Sequence, residues 1–102
     1  MNFKHPILEH VRRRPALFLG RPSLVRLQAF IQGYSACECD HHFEVVEQDT
    51  SEFCDWLSGQ LRIPSNVGYV NMLLAVSDGD DAVAFDSFWS WLDKFRALQK
   101  VE

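Results

Sequence analysis

Apolar residues recur at three- and four-residue steps along most of this chain, and the longest such run lies near its end. Ala82, Phe85, Phe88, Trp89, Leu92 and Phe95 share one helical face, while Asp86, Ser87, Ser90 and Asp93 fall elsewhere around the same helix. The turn Ser77-Asp78-Gly79-Asp80-Asp81 places carboxylates where a helix start has free amide donors and the positive end of its dipole. Lys94, Arg96 and Lys100 complement the opposite end. Upstream, Leu24, Leu27, Phe30, Ile31 and Tyr34 predict a helix from Leu24 to about Cys37 or Cys39, with Ser23 as its N-cap and Arg26, Gln28 and Gln32 facing outward. Gly33 inside it marks a place where a neighbouring helix could come close. Phe53, Trp56, Leu57 and Gln60 predict a third helix from about Ser51 to Leu61, capped by Asp49 or Thr50. The nearly all-apolar run from Val67 to Val76 predicts a short helix, the most buried of the set.

Two prolines punctuate the beginning. Pro6 suits the first turn of a helix carrying Ile7, Leu8 and Val11, and that helix stops at about Arg13 because Pro15 disfavours the helical conformation at Arg14. Next, Pro15-Ala16-Leu17-Phe18-Leu19-Gly20 is too apolar for a solvated loop and short for a helix of its own. It is expected to pack inward, with Gly20 turning the corner. Arg14, Pro15, Gly20 and Ser23 are its structural residues, the planar fork of Arg14 being suited to bind carbonyls or acids of the corner. Residues 39–48 read as a loop or short irregular helix. The fold expected is all-α, one compact domain over residues 1–102 of about five helices, with a proline-to-glycine corner between the first two.

Composition bounds the class. A chain of 102 residues is the size of one domain, and 47% hydrophobic with 24% charged residues is too apolar for disorder. No stretch approaches the roughly 18 apolar residues of a spanning helix and no signal-peptide pattern opens the chain, so a cytoplasmic protein with no membrane contact is expected. Three cysteines, two of them only two positions apart, form no disulfide framework. The net charge of −4 conceals two poles. Residues 1–30 carry six basic side chains against Glu9 alone, and residues 31–102 carry four against thirteen acids. The poles either attract one another within the fold or remain free to steer a charged partner.

Candidate chemistry is sparse. Cys37, Cys39, His41 and Cys54 have ligand chemistry, but paired Cys-x-x-Cys spacing is missing, so neither a metal nor another cofactor is expected. Cys39 with His41 or His42 and Asp40 supplies nucleophile, base and acid in adjacent positions that rarely converge, without a glycine elbow. His5 and His10 flank the first helix without ligand spacing. A non-enzymatic binding protein follows, with Asp40, Glu44, Glu47, Asp49, Asp78, Asp80 and Asp81 as an acidic rim and Trp91, off the main ridge, as an exposed aromatic anchor. The alternative is a small regulatory or nucleic-acid-contacting protein that uses the basic corner from Arg12 to Arg26, although the acidic balance of the whole chain weighs against nucleic acid. A homodimer through the aromatic C-terminal helix is compatible with either.

Arg14-Pro15, Leu19-Gly20, Ser23-Leu24, Leu27, Phe30 and Gly33-Tyr34 resemble a family of small bacterial proteins with an Arg-Pro-Gly-Met-Tyr-Leu-Gly core followed by a helix ending in Gly-Tyr. Trp56-Leu57, Gly68-Tyr69 before Asn71-Met72, and Ala84-Phe85 through Phe88 to Phe95-Arg96 are similar to its later landmarks. This chain departs at Ala16, Phe18 and Tyr69, where that family has Gly, Tyr and Trp. The resemblance implies a fold, and by analogy with immunity partners of secreted toxins it implies a cytoplasmic antitoxin-like protein that binds a basic toxin domain. The Arg-Pro-x-x-x-x-Gly run is also similar to a segment of the ATPase domains of type II topoisomerases, but their Asp-x-Gly-x-Gly turn is absent.

Overall fold

A computed structural model of the chain describes Phe3 and residues 5–40 and 48–99. Among these residues there are six α-helices and no strand, the all-α class that the periodicity predicts, with one short helix beyond the five or so expected. They are α1 (Pro6–Arg13), α2 (Pro15–Leu19), α3 (Leu24–Asp40), α4 (Gln48–Leu61), α5 (Tyr69–Val76) and α6 (Asp81–Gln99), with one turn of 3₁₀ helix at Ser65–Val67. A Cα radius of gyration of 13.5 Å is close to the roughly 13 Å of a compact chain this long. No helix among the described residues is long and apolar enough to cross a membrane.

The two prolines set α1. Pro6 occupies its first turn, the Ile7 amide donates to His5 Nδ1 at 3.1 Å as the N-cap, and the Arg14 amide donates to the His10 carbonyl at 3.0 Å to close the last turn. Because Nδ1 accepts an amide, the neutral His5 ring carries its proton on Nε2, which faces the Tyr34 hydroxyl at 3.3 Å.

Packing radiates from α6. Its residues Ala84, Phe85, Phe88, Trp89, Leu92 and Phe95 are buried, and α3, α4 and α5 lie against it. Phe3 sits at the centre, 2% exposed, with edge-on contacts to Phe53 of α4, Tyr69 of α5 and Phe88 of α6 at centroid distances of 5.4, 5.7 and 5.6 Å. Such pairs add about 0.5–1.5 kcal/mol each beyond the area they bury. Burial also carries the Tyr69 phenol well above its usual range, so it stays neutral.

Several expectations need correction. Helix α4 begins at Gln48, so Asp49 and Thr50 lie within its first turn and do not cap it. The Thr50 hydroxyl is buried without a partner among the described residues. Gln60 is exposed, one helical turn past buried Leu57. A Cβ at Gly33 would meet nothing within 4 Å, so no helix among the described residues approaches closely there. The run from Val67 to Val76 is divided by Gly68, whose φ of +87° separates the 3₁₀ turn from α5. Within α5, Tyr69, Val70, Met72 and Leu73 are buried while Ala75 and Val76 reach the surface. The irregular stretch expected at residues 39–48 lies largely outside the described residues.

Candidate interaction surface

The corner between α1 and α3 is more ordered than a loop, and more exposed. Pro15–Leu19 is a helix in its own right, with the Leu17 amide donating to the Arg14 carbonyl at 3.1 Å and the Gly20 amide to the Ala16 carbonyl at 3.0 Å. One short helix turns successive side chains to different sides, so five apolar residues cannot all face inward. Only Leu19 is buried; Leu17 is 72% exposed and Phe18 36%. This corrects the inward packing expected of the whole segment.

Gly20 ends α2 at φ +82°, and the Arg26 guanidinium lies over it, donating from Nη1 to the Leu19 carbonyl at 2.8 Å. A cation at the negative end of α2 is favoured by the dipole as well as by the bond. The carbonyl-binding task expected of Arg14 therefore belongs to Arg26, which the helical wheel had turned outward. Arg14 instead lines an open recess of about 290 Å³ with His10, Arg13, Leu17 and Phe18. Phe18 also borders a second, shallower groove of about 410 Å³ whose other walls are Leu19, Arg26, Ala29 and Phe30.

The two charged poles meet in part. Arg12 grips Asp93 through both guanidinium nitrogens at 2.9 and 2.7 Å and lies 5.4 Å from the centre of the Trp89 ring. Arg96 pairs with Glu9 at 3.1 Å and donates to the Phe3 carbonyl. The hydrogen bond from Arg12, followed by its charge and that of Arg96, holds the Asp93 carboxyl below the ordinary carboxylate range despite partial burial. Position 9 pairs with 96 and 12 with 93, so α1 and α6 run antiparallel where these bridges join them. Arg13 and Arg14 form no ion pair with any described residue.

Asp81 is spent differently from its neighbours. Its Oδ2 accepts from the Ser23 hydroxyl, and its Oδ1 accepts from the Leu24 amide at 2.8 Å and the Val25 amide at 3.1 Å. Ser23 in turn accepts from the Arg26 amide at 3.1 Å, the N-cap role its position predicts. One carboxylate at the start of α6 thus caps the start of α3. Burial pushes the Asp81 carboxyl up, but the Ser23 hydroxyl, the Val25 and Leu24 amides and the charge of Arg21 outweigh it, and it lies below the ordinary range. Asp81 is accordingly a structural residue, and its place in a partner-binding rim is withdrawn.

Of the other acidic candidates, Asp80 caps its own helix by accepting from the Ala82 and Val83 amides, both at 3.1 Å. Asp78 is exposed in the preceding turn at φ +54°, between Val76 and Val83, which are 51% and 49% exposed. Asp40 lies in α3 and Asp49 in α4, with side chains outside the described set, and Glu44 and Glu47 lie outside the described residues altogether. Trp91 is only half-exposed. Its ring meets Trp56 at 5.8 Å, and Lys94 Nζ lies 4.5 Å from its centre. A ring covered on two sides is packing for the α4–α6 seam, which corrects its reading as a protruding anchor.

The cysteines divide likewise. Cys37 is exposed on α3, while the Cys54 thiol donates to the Ser65 carbonyl at 3.4 Å and is pushed up by burial and by Asp55, which keeps it protonated. Among the described residues no three potential ligands stand together; the Cys39 side chain and His41 are outside that set.

Sequence reasoning missed the exposed pair Leu17-Phe18, although the signal was present: two prolines and a glycine enclose too few residues to bury them all. Nothing in the sequence could pair Ser23 with Asp81 across 58 positions. Compared with models of known families, with curated proteins and with solved structures, the chain matches none.

Proposed function

We propose that this chain is a non-catalytic protein-binding module, and that its specific form is an immunity-like protein neutralising a bacterial toxin by direct contact. One observation carries the reading. Arg12, Asp81 and Asp93, the arginine and carboxylates whose surroundings shift them, are engaged in joining helices, and what is left at the surface is aliphatic area and unpaired charge. That combination occurs around the turn before α6, where Val76, Asp78 and Val83 are each exposed, and again in the recess that Leu17 and Phe18 line with Arg13 and Arg14. Apolar contact supplies residence time and charge supplies encounter rate, the usual division of labour at a protein interface. The acidic surplus after residue 30 favours a basic partner at the first of these places.

The test is co-expression with the product of the adjacent reading frame. The expected result is a complex that survives two chromatographic steps, and protection of cells from that product. Asp78→Lys should weaken the complex without unfolding the protein. Failure of the two proteins to copurify, together with no protection, refutes the immunity form. The nucleic-acid alternative is favoured by Arg13, Arg14 and Arg21 alone within the corner, since Arg12 and Arg26 are already occupied by Asp93 and the Leu19 carbonyl. Salt-sensitive retention of labelled RNA or DNA would establish it.

A further inference from the structure

We infer that the α1–α2 corner is a second docking surface, for an acidic protein segment carrying an apolar anchor. The inference rests on reading the chain as a protein-binding module, but not on the acidic surface or the toxin.

The recess is lined by His10, Arg13, Arg14, Leu17 and Phe18, which brings two guanidiniums and two apolar side chains to one place. Phe18 continues into the groove bordered by Ala29 and Phe30, where its ring meets Phe30 at 6.2 Å. The surface therefore changes from cationic to apolar across one side chain. A recess of about 290 Å³ lies at the lower end of small-molecule pockets and suits a protruding side chain. The adjoining groove gives the rest of a segment somewhere to lie. Leu17 at 72% exposure and two guanidiniums without an ion pair among the described residues leave both apolar area and positive charge available to one partner.

Charge decides the sign of the occupant. Arg12, Arg21 and Arg26 add little to the recess, being directed to Asp93, to the surroundings of Asp81 and to the Leu19 carbonyl. Two free arginines match two or three carboxylates well, and their forked donors bind carboxylate in pairs. The same two arginines are few for a nucleic acid strand, set beside a binder that makes about 6–10 phosphate contacts, and a strand offers no aliphatic anchor for Leu17 and Phe18. An acidic peptide with leucine or phenylalanine among its carboxylates meets both halves of the surface at once.

The test uses the whole chain and three fluorescein-labelled probes: a peptide of repeated Glu-Glu-Leu-Phe units, the same peptide with lysine for glutamate, and an oligothymidylate of equal length. Fluorescence anisotropy should show binding of the acidic peptide alone, weakening as salt is raised. Arg13→Glu with Arg14→Glu, and separately Leu17→Asp, should each weaken it at least about tenfold, as loss of a central interface residue does. Asp78→Lys should leave it unchanged. All four positions are exposed, so the variants should keep the parent's helical circular dichroism and melting temperature. The inference is overturned if the acidic peptide fails to bind at millimolar concentration, if corner variants bind it as the parent does, or if the oligothymidylate binds more tightly at the same salt. Such a result would leave the proposed toxin complex standing, because that complex is read through Asp78→Lys and copurification.

Discussion

Removing the Asp81 carboxylate should loosen the start of α3, although Asp81 belongs to α6. The carboxylate accepts from one hydroxyl and two amides, all at a helix N-terminus. A hydrogen bond to a charged group contributes about 1.5–3 kcal/mol and an N-cap about 0.5–2 kcal/mol, and these figures describe overlapping groups, so they do not add. Ser23 remains to cap the Arg26 amide, which lowers the loss. Asp81→Ala should therefore cost about 2 kcal/mol, and Asp81→Asn, which keeps an acceptor and loses only the charge, about 1 kcal/mol. In a domain of this length the alanine variant should melt roughly 8–16 °C lower. Urea unfolding followed by circular dichroism measures the same quantity. Acid provides a second reading. The folded carboxyl lies below its unfolded value of about 3.9, so its stabilisation is complete above that pH and fades as pH falls through the folded value. The gap between parent and Asp81→Asn should accordingly hold from neutral pH down to about pH 4 and narrow below it, closing once the folded carboxyl is itself protonated, while Asp93, present in both proteins, cancels. A cost below about 0.5 kcal/mol, or a gap that persists in acid, would refute the cross-capping argument.

Other substitutions test the remaining structure. Gly33→Ala and Gly59→Ala lie in helix interiors with open space around the new methyl group, so each should stabilise by about 0.5–1 kcal/mol, seen as a higher melting temperature. Gly20→Ala should cost about 2–3 kcal/mol, because φ is +82° and the new Cβ would stand 2.7 Å from Arg26 Nη1 and displace it. Gly79→Ala, at φ +77° in open space, should cost only the backbone part, about 1–2 kcal/mol; equal losses in the two variants by urea titration would show that Arg26 contributes nothing. Phe3→Ala should cost about 3–5 kcal/mol by the same titration, the range for emptying an aromatic site in a core.

Helix α1 was legible to the residue, because two prolines bound it, and the ridge of α6 was legible from Phe85 to Phe95, although Ala82, expected on it, is exposed and Ala84 is buried instead. Local chemistry also revealed Ser23 as a cap and the acidic turn before α6. What could not be read was the partner of each charged group. Arg12, Arg14 and Arg26 look alike in sequence, yet one meets a carboxylate 81 positions away, one lines a surface recess and one closes a five-residue helix. Trp91 was misjudged for the same reason. A residue off the main stripe of its own helix can still be covered by another, and Trp56 covers it. The candidate surface emerged only when the structure showed which apolar side chains the core had no room to take.

Helix α6, sixth in order along the chain, is the one to which α3, α4 and α5 are fastened. Until α6 has been synthesised, Arg12 and Glu9 lack their counterparts, the opening turn of α3 lacks its borrowed carboxylate, and Phe3 lacks one of its ring neighbours. A growing chain that stops short of Asp81 would hold helical segments with little to arrange them. Assembly of this domain therefore waits on the synthesis of α6, whose long-range contacts set the other helices in place.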